Sequence, residues 1–164
     1  MTEARRQSLP GAPRYERWIR RLLLCAGVVE IAVGALHFAM PTQAYQSRGF
    51  PNLQPDELSF VTLVILAVGI LLLAFGSFTV YLASRTEAIV EVLFWYSLIK
   101  AFLWAGRVIL EAAYPVRLRL FSVEPFTAVV MPGLLFEMLL FVASTVLARK
   151  AMAAGVAPRN VLTN

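Results

Sequence analysis

Apart from Glu91 near the start of the third apolar stretch, six side chains able to exchange protons or hold charge sit inside otherwise apolar stretches: Glu30, His37, Lys100, Arg107, Glu111 and Glu137. Glu30 and His37 are seven residues apart, which places them on nearly one face of a helix. Lys100 and Arg107 are also seven apart, and Arg107 and Glu111 are four apart, so these three share a stripe with Trp104. The chemistry such a set supports is acid–base chemistry. Glu30, Glu137 and His37 are the catalytic candidates, since a carboxyl or an imidazole gives and takes protons. Lys100, Trp104, Arg107 and Glu111, with Trp95 and Tyr96, are the substrate-binding candidates. Arg107 suits an oxyanion or carboxylate, and the aromatic rings suit a lipophilic pocket or a cationic intermediate. The same residues also admit an account without chemistry. Arg107 and Glu111 would pair within one helix, Glu30 and Lys100 would join two helices, and His37 would donate to a backbone carbonyl. Each aromatic, taken singly, reads as packing or as an interface anchor.

The stretch that must carry this stripe is Ala88 to Tyr114, apolar enough to enter a membrane. Of the 164 residues, 59% are hydrophobic and 15% charged, more apolar than a soluble domain of this length. The expected class is therefore all-α: an integral membrane four-helix bundle of up-down topology. The formal charge of +5 does not imply nucleic acid, because the basic residues gather mainly near the chain ends. Cys25 is the one cysteine, so neither an internal disulfide nor a thiolate cluster is available. With one histidine, no HExxH arrangement and no glycine-rich phosphate loop, no metal or other cofactor is expected. The basic start followed by an apolar run reads as a retained first helix rather than a cleaved leader, since three more apolar segments follow.

In chain order, residues 1–17 read as a basic cytoplasmic tail, 18–150 as the transmembrane domain and 151–164 as a second cytoplasmic tail. Arg14, Arg17, Arg20 and Arg21, interleaved with Tyr15 and Trp18, form an interfacial anchor. Crossings are expected at about 18–40, 58–82, 88–113 and 126–149, each long enough for a core of roughly 30 Å. Pro41 marks the expected end of the first. Asp56 or Ser59 is the expected cap of the second. Gly27 and Gly34 in the first, and Gly69 and Gly76 in the second, offer close-contact surface. Thr62, Ser77 and Thr79 are expected to bond to their own backbone. The short link at Ala83 to Glu87 predicts that the second and third helices are antiparallel neighbours. Tyr45 and Phe50 in the following loop, and Val116, Leu118, Leu120 and Phe121 in the last link, are expected near the membrane surface. Pro132 and Gly133 are expected to kink the fourth helix.

Ten basic residues fall on the side of the termini and the second link, against Arg48, Arg117 and Arg119 on the other, so both termini are expected in the cytoplasm. On that orientation Glu30, Lys100 and Glu137 lie near the midplane, His37 and Arg107 in the outer third, and Glu111 nearer the outer surface. A lone central charge costs roughly 2.5–3.5 kcal/mol on an insertion scale, so pairing among these groups is expected.

The segment GALHFAMP at Gly34 to Pro41, the loop and glycine-bearing helix that follow, and the charged third helix resemble the DoxX-like group of small four-helix membrane proteins. The portion from Ala105 to Glu137, with Gly106–Arg107 and a glutamate in the fourth helix, looks like one branch of that group. The resemblance spans about Arg20 to Lys150. It implies a four-helix membrane fold at the plasma or inner membrane, and association in some members with quinone or sulfur oxidation complexes or with redox stress. The bundle is more distantly similar to membrane sterol isomerases, which have five crossings. No catalytic motif carries over residue by residue. The leading expectation is an accessory or structural subunit of a membrane complex. An acid–base enzyme or binding protein for a lipophilic molecule comes second, and a small-solute or proton-coupled transporter third. The expected partners are membrane lipids, a lipophilic small molecule, and a second copy or another membrane protein.

Overall fold

The computed structural model describes residues 12–46, 54–85, 89–114 and 124–156. They form four helices: α1 (Ala12–Gln46), α2 (Pro55–Ser84), α3 (Val90–Ala113) and α4 (Glu124–Val156). Even α3, the shortest at 24 residues, rises about 36 Å, more than a hydrocarbon core is thick. All four are long and apolar enough to cross a membrane. The architecture is an up-down four-helix bundle.

Several boundaries differ from the sequence expectation. α1 starts upstream of Trp18 and continues through Pro41, which is buried inside the helix. Proline removes one N–H from the ladder, and a packed membrane helix tolerates that loss more readily than one in water. α2 starts at Pro55, whose fixed φ suits the first helical position. Neither Asp56 nor Ser59 caps it. The cap is Gln54, whose backbone N–H donates to the Glu57 carboxylate at 2.9 Å, while Ser59 donates to the Pro55 carbonyl at 2.9 Å. The expectations for Phe50, Val116, Leu118, Leu120 and Phe121, and for the side chain of Tyr45, lie outside the described residues.

Helix packing is unequal. α1 packs closely on α2 and on α4, and α4 packs on α3. The expected α2–α3 pairing along their length is not found among the described residues. A short link fixes where two helix ends meet, not how far the helices diverge beyond it. α2 and α3 instead touch through side chains: Phe78 and Tyr96 meet edge to face at 5.6 Å. The apolar core comes from α1, α3 and α4 (Ile19, Leu23, Leu93, Trp104, Leu140 and Phe141), with Ala83 the one α2 residue in it.

What attaches α2 is glycine. Gly27 of α1 faces Gly76 of α2, and Gly34 faces Gly69, in antiparallel register. A Cβ on Gly27 would stand 2.9 Å from the Gly76 carbonyl oxygen, and one on Gly34 would stand 3.0 Å from that of Gly69. The two backbones therefore touch, as small residues permit where lipid supplies no hydrophobic drive for association. Arg20 closes one end of this pair. Its guanidinium donates to the Ala83 carbonyl at 3.2 Å and to the Arg85 carbonyl, and it pairs with Glu16 at 2.7 Å. These are carbonyls at the end of α2, where the helical ladder runs out.

Candidate functional site

The polar centre is built on Glu30, which α1 buries completely. Its Oε1 accepts from the Lys100 ammonium and from the Trp104 indole N–H, the latter at 3.1 Å; both donors come from α3. Its Oε2 lies 3.2 Å from the Thr79 hydroxyl on α2. Thr79 also reaches the Phe75 carbonyl at 2.7 Å and the Tyr96 hydroxyl at 2.5 Å. A threonine has one hydroxyl proton and serves one acceptor at a time; between Thr79 and Tyr96 either hydroxyl can be the donor, and Tyr96 also lies 3.4 Å from the Phe75 carbonyl. Tyr96, Thr79 and Glu30 thus form a hydrogen-bonded chain from α3 through α2 to α1.

Lys100 is 4% exposed. Its ammonium lies 4.9 Å from the Phe75 ring centre and 5.3 Å from that of Phe141. The ring faces stabilise the charge where water does not reach. Removing two opposite charges from water is expensive, and good geometry with further hydrogen bonds is what offsets it. Glu30 and Lys100 have both.

Glu137 is the exception. It projects from α4, is 2% exposed, and neither carboxyl oxygen has a hydrogen-bond partner among the described residues. Glu30 and Lys100 lie within Coulombic range of it. Phe141, one turn further along α4, is the ring against which Lys100 rests.

The other candidates lie elsewhere. Arg107 and Glu111 form an ion pair of 2.6 Å within α3, with the Glu111 side chain 10% and the Arg107 side chain 43% exposed. His37 contacts the Val33 carbonyl through Nδ1 at 2.8 Å and sits against α2 at Gly69. It makes no polar contact with Glu30 or Glu137, so the expected trio of Glu30, His37 and Glu137 is not brought together. Trp95 is half exposed on the outside of α3, stacked edge to face on Phe94 rather than on the polar centre. Lys100, Trp104 and Tyr96 do converge on Glu30. Thr79, Phe75 and Phe141 complete the centre and were not among the sequence candidates. The available signal was spacing: Phe75 is one turn before Thr79, and Phe141 is one turn after Glu137.

Among the described residues, no group of three histidine, cysteine or acidic side chains lies close enough to hold a metal ion. The site is a buried cluster of two carboxyls and one ammonium, tied to a hydroxyl pair. It can hold or move a proton, and it locks three helices together. Comparison of the chain with protein-family models, curated proteins and solved structures found no match in any of the three.

Proposed function

We propose that this small helical membrane protein is an accessory or structural subunit of a larger membrane complex. One observation carries the reading: the Glu30 carboxylate is occupied by donors from α2 and α3. A carboxylate used this way is a clamp, not a free reagent. The division of the other candidates agrees with it, since Arg107 and Glu111 neutralise each other and His37 faces another helix. α2 supplies a reason for a partner. Only Gly69, Gly76, Thr79 and Ala83 of its 30 residues are buried, and α3 meets its apolar flank only through side chains around Phe75, Phe78 and Thr79 among the described residues. The resemblance to DoxX-like proteins extends this proposal to an inner-membrane complex handling quinones or sulfur compounds. That extension rests on the motifs from Gly34 to Pro41 and from Ala105 to Glu137.

The test is native electrophoresis of membranes gently solubilised from cells making a tagged chain at its natural level. The expected result is a discrete band above the mass of the chain or its small homo-oligomers. The band should contain one stoichiometric partner, whose abundance falls when the chain is deleted. Migration as a lone monomer or homo-oligomer, with no partner lost on deletion, would overturn the proposal.

A second reading, a membrane-embedded acid–base or binding protein, is favoured by the unpartnered carboxyl of Glu137. It requires a small molecule to enter between α3 and α4, beside Glu137 and Lys100. A lipid extract of the purified protein that carries a bound lipophilic molecule, lost on Glu137→Gln, would move this reading ahead of the first.

A further inference from the structure

We propose that Glu137 is a proton-binding site in the bundle core, and that Lys100 is a shared counter-charge passing between Glu30 and Glu137 as the proton arrives and leaves. This goes beyond the subunit proposal and stands or falls separately from it.

The argument begins with a charge count. The centre holds two carboxyls, Glu30 and Glu137, and one ammonium, Lys100, all buried. With one proton on the carboxyl pair the cluster is neutral. Without it, one negative charge lies uncompensated at membrane depth, where charge is costly. The hydrogen bonds say which carboxyl takes the proton. Glu30 has the ammonium, the indole N–H of Trp104 and the Thr79 hydroxyl beside it, all of which favour an anion. Glu137 has no donor on either oxygen among the described residues. The proton therefore belongs on Glu137.

Lys100 is placed to change partners. Of its three N–H donors, one is directed at Glu30, and its ammonium rests against the ring of Phe141, one turn along α4 from Glu137. Among the described residues, the charged groups whose field reaches Glu137 are Glu30 from α1 and Lys100 from α3, the two helices that pack on α4. α2 contributes Thr79, which reaches Glu30, and α3 contributes Tyr96, whose hydroxyl reaches Thr79. When Glu137 releases its proton, the new anion competes for Lys100. Glu30 then keeps Trp104 and Thr79, and the Tyr96 hydroxyl lies behind Thr79. A proton entering at Glu137 is thereby coupled to the bonds that hold α1 to α3.

The experiment uses dicyclohexylcarbodiimide on the full chain in phosphatidylcholine vesicles. This lipid-soluble reagent adds the O–H of a protonated carboxyl across its C=N bond, and the adduct rearranges to a stable N-acylurea located by peptide mass spectrometry. The expected adduct at neutral pH is on Glu137 and not on Glu30, and it disappears in Glu137→Gln. In Glu30→Gln, Lys100 has Glu137 as its one remaining carboxylate, and the yield at Glu137 falls about tenfold or more. A wild-type chain unlabelled at Glu137, or labelled at Glu30 instead, overturns the proton site. An unchanged yield in Glu30→Gln overturns the shared counter-charge. The wild-type and Glu137→Gln results decide the first point whether or not Glu30→Gln folds.

Discussion

At the residue scale, the two halves of one ion pair are not equivalent. Removing Lys100 leaves two carboxyls with no cation, whereas removing the charge of Glu30 leaves Lys100 with Glu137 nearby. Breaking a buried pair typically costs 3–5 kcal/mol, so Lys100→Met is expected to destabilise the fold by about that much. Glu30→Gln should cost less than half of it, because the amide still accepts from Trp104 and Lys100 keeps a counter-charge. Reversible unfolding of the two variants in mixed detergent micelles compares them directly, and equal losses would show that Glu137 does not compensate. Much of this centre was legible in the sequence. Charged residues in apolar stretches stand out, and Glu30, Lys100, Trp104 and Glu137 all reappear in one cluster. Thr79 was not legible, because a helical threonine bonds to its own backbone whether or not it serves another group, and here its hydroxyl lies within reach of both the Phe75 carbonyl and Glu30. His37 misled for a different reason. A seven-residue spacing fixes the angle around α1, but the neighbour at each level depends on how the other helices cross it.

At the element scale, the bundle contains two kinds of glycine. Those in the α1–α2 seam touch backbone, and a Cβ on Gly76 would stand 2.8 Å from the Gly27 carbonyl oxygen. A methyl there forces the helices apart, so Gly76→Ala is expected to cost about 1–3 kcal/mol, the usual range for overpacking. Gly106 and Gly133 have open space where a Cβ would lie. Gly106→Ala is expected to be neutral or to stabilise by about 0.4–1 kcal/mol, by restricting the unfolded chain. Thermal unfolding of both variants checks the contrast; a harmless Gly76→Ala would mean that the seam is not closed. The spacing of Gly27, Gly34, Gly69 and Gly76 made a close-contact face on each helix visible beforehand, because seven residues is two turns, but not that the two faces meet each other. The position of α3 relative to α2 was not visible. Residues 83–87 bring two ends together, but the splay between α2 and α3 depends on where Phe78, Tyr96 and the polar centre settle.

At the scale of the whole molecule, charge and packing point to the same end of the bundle. In an up-down arrangement the start of α1, the end of α2, the start of α3 and the end of α4 lie together. Arg14, Arg17, Arg20 and Arg21, with Arg85, Arg149 and Lys150, all belong to that end. A bias of this kind retains an end in the cytoplasm during insertion. Not all these arginines are equivalent, however. Arg20 holds the Ala83 and Arg85 carbonyls and pairs with Glu16, so replacing it would disturb the fold as well as the charge. Arg21 rests on Trp18 and is exposed, as are Arg14 and Arg17. The informative variant therefore changes Arg14, Arg17 and Arg21 to Gln and leaves Arg20 in place. A fluorescent protein that matures only in the cytoplasm, fused after Asn164, is expected to glow on the unaltered chain. A phosphatase active only outside should report from a fusion within residues 115–123. In the triple variant the fluorescent signal should fall and a mixed topology appear, while the helical content of the purified protein stays the same. Undiminished fluorescence would place the orienting charge elsewhere, with Arg85, Arg149 and Lys150 the next to change; a dark fusion on the unaltered chain would invert the expected orientation outright.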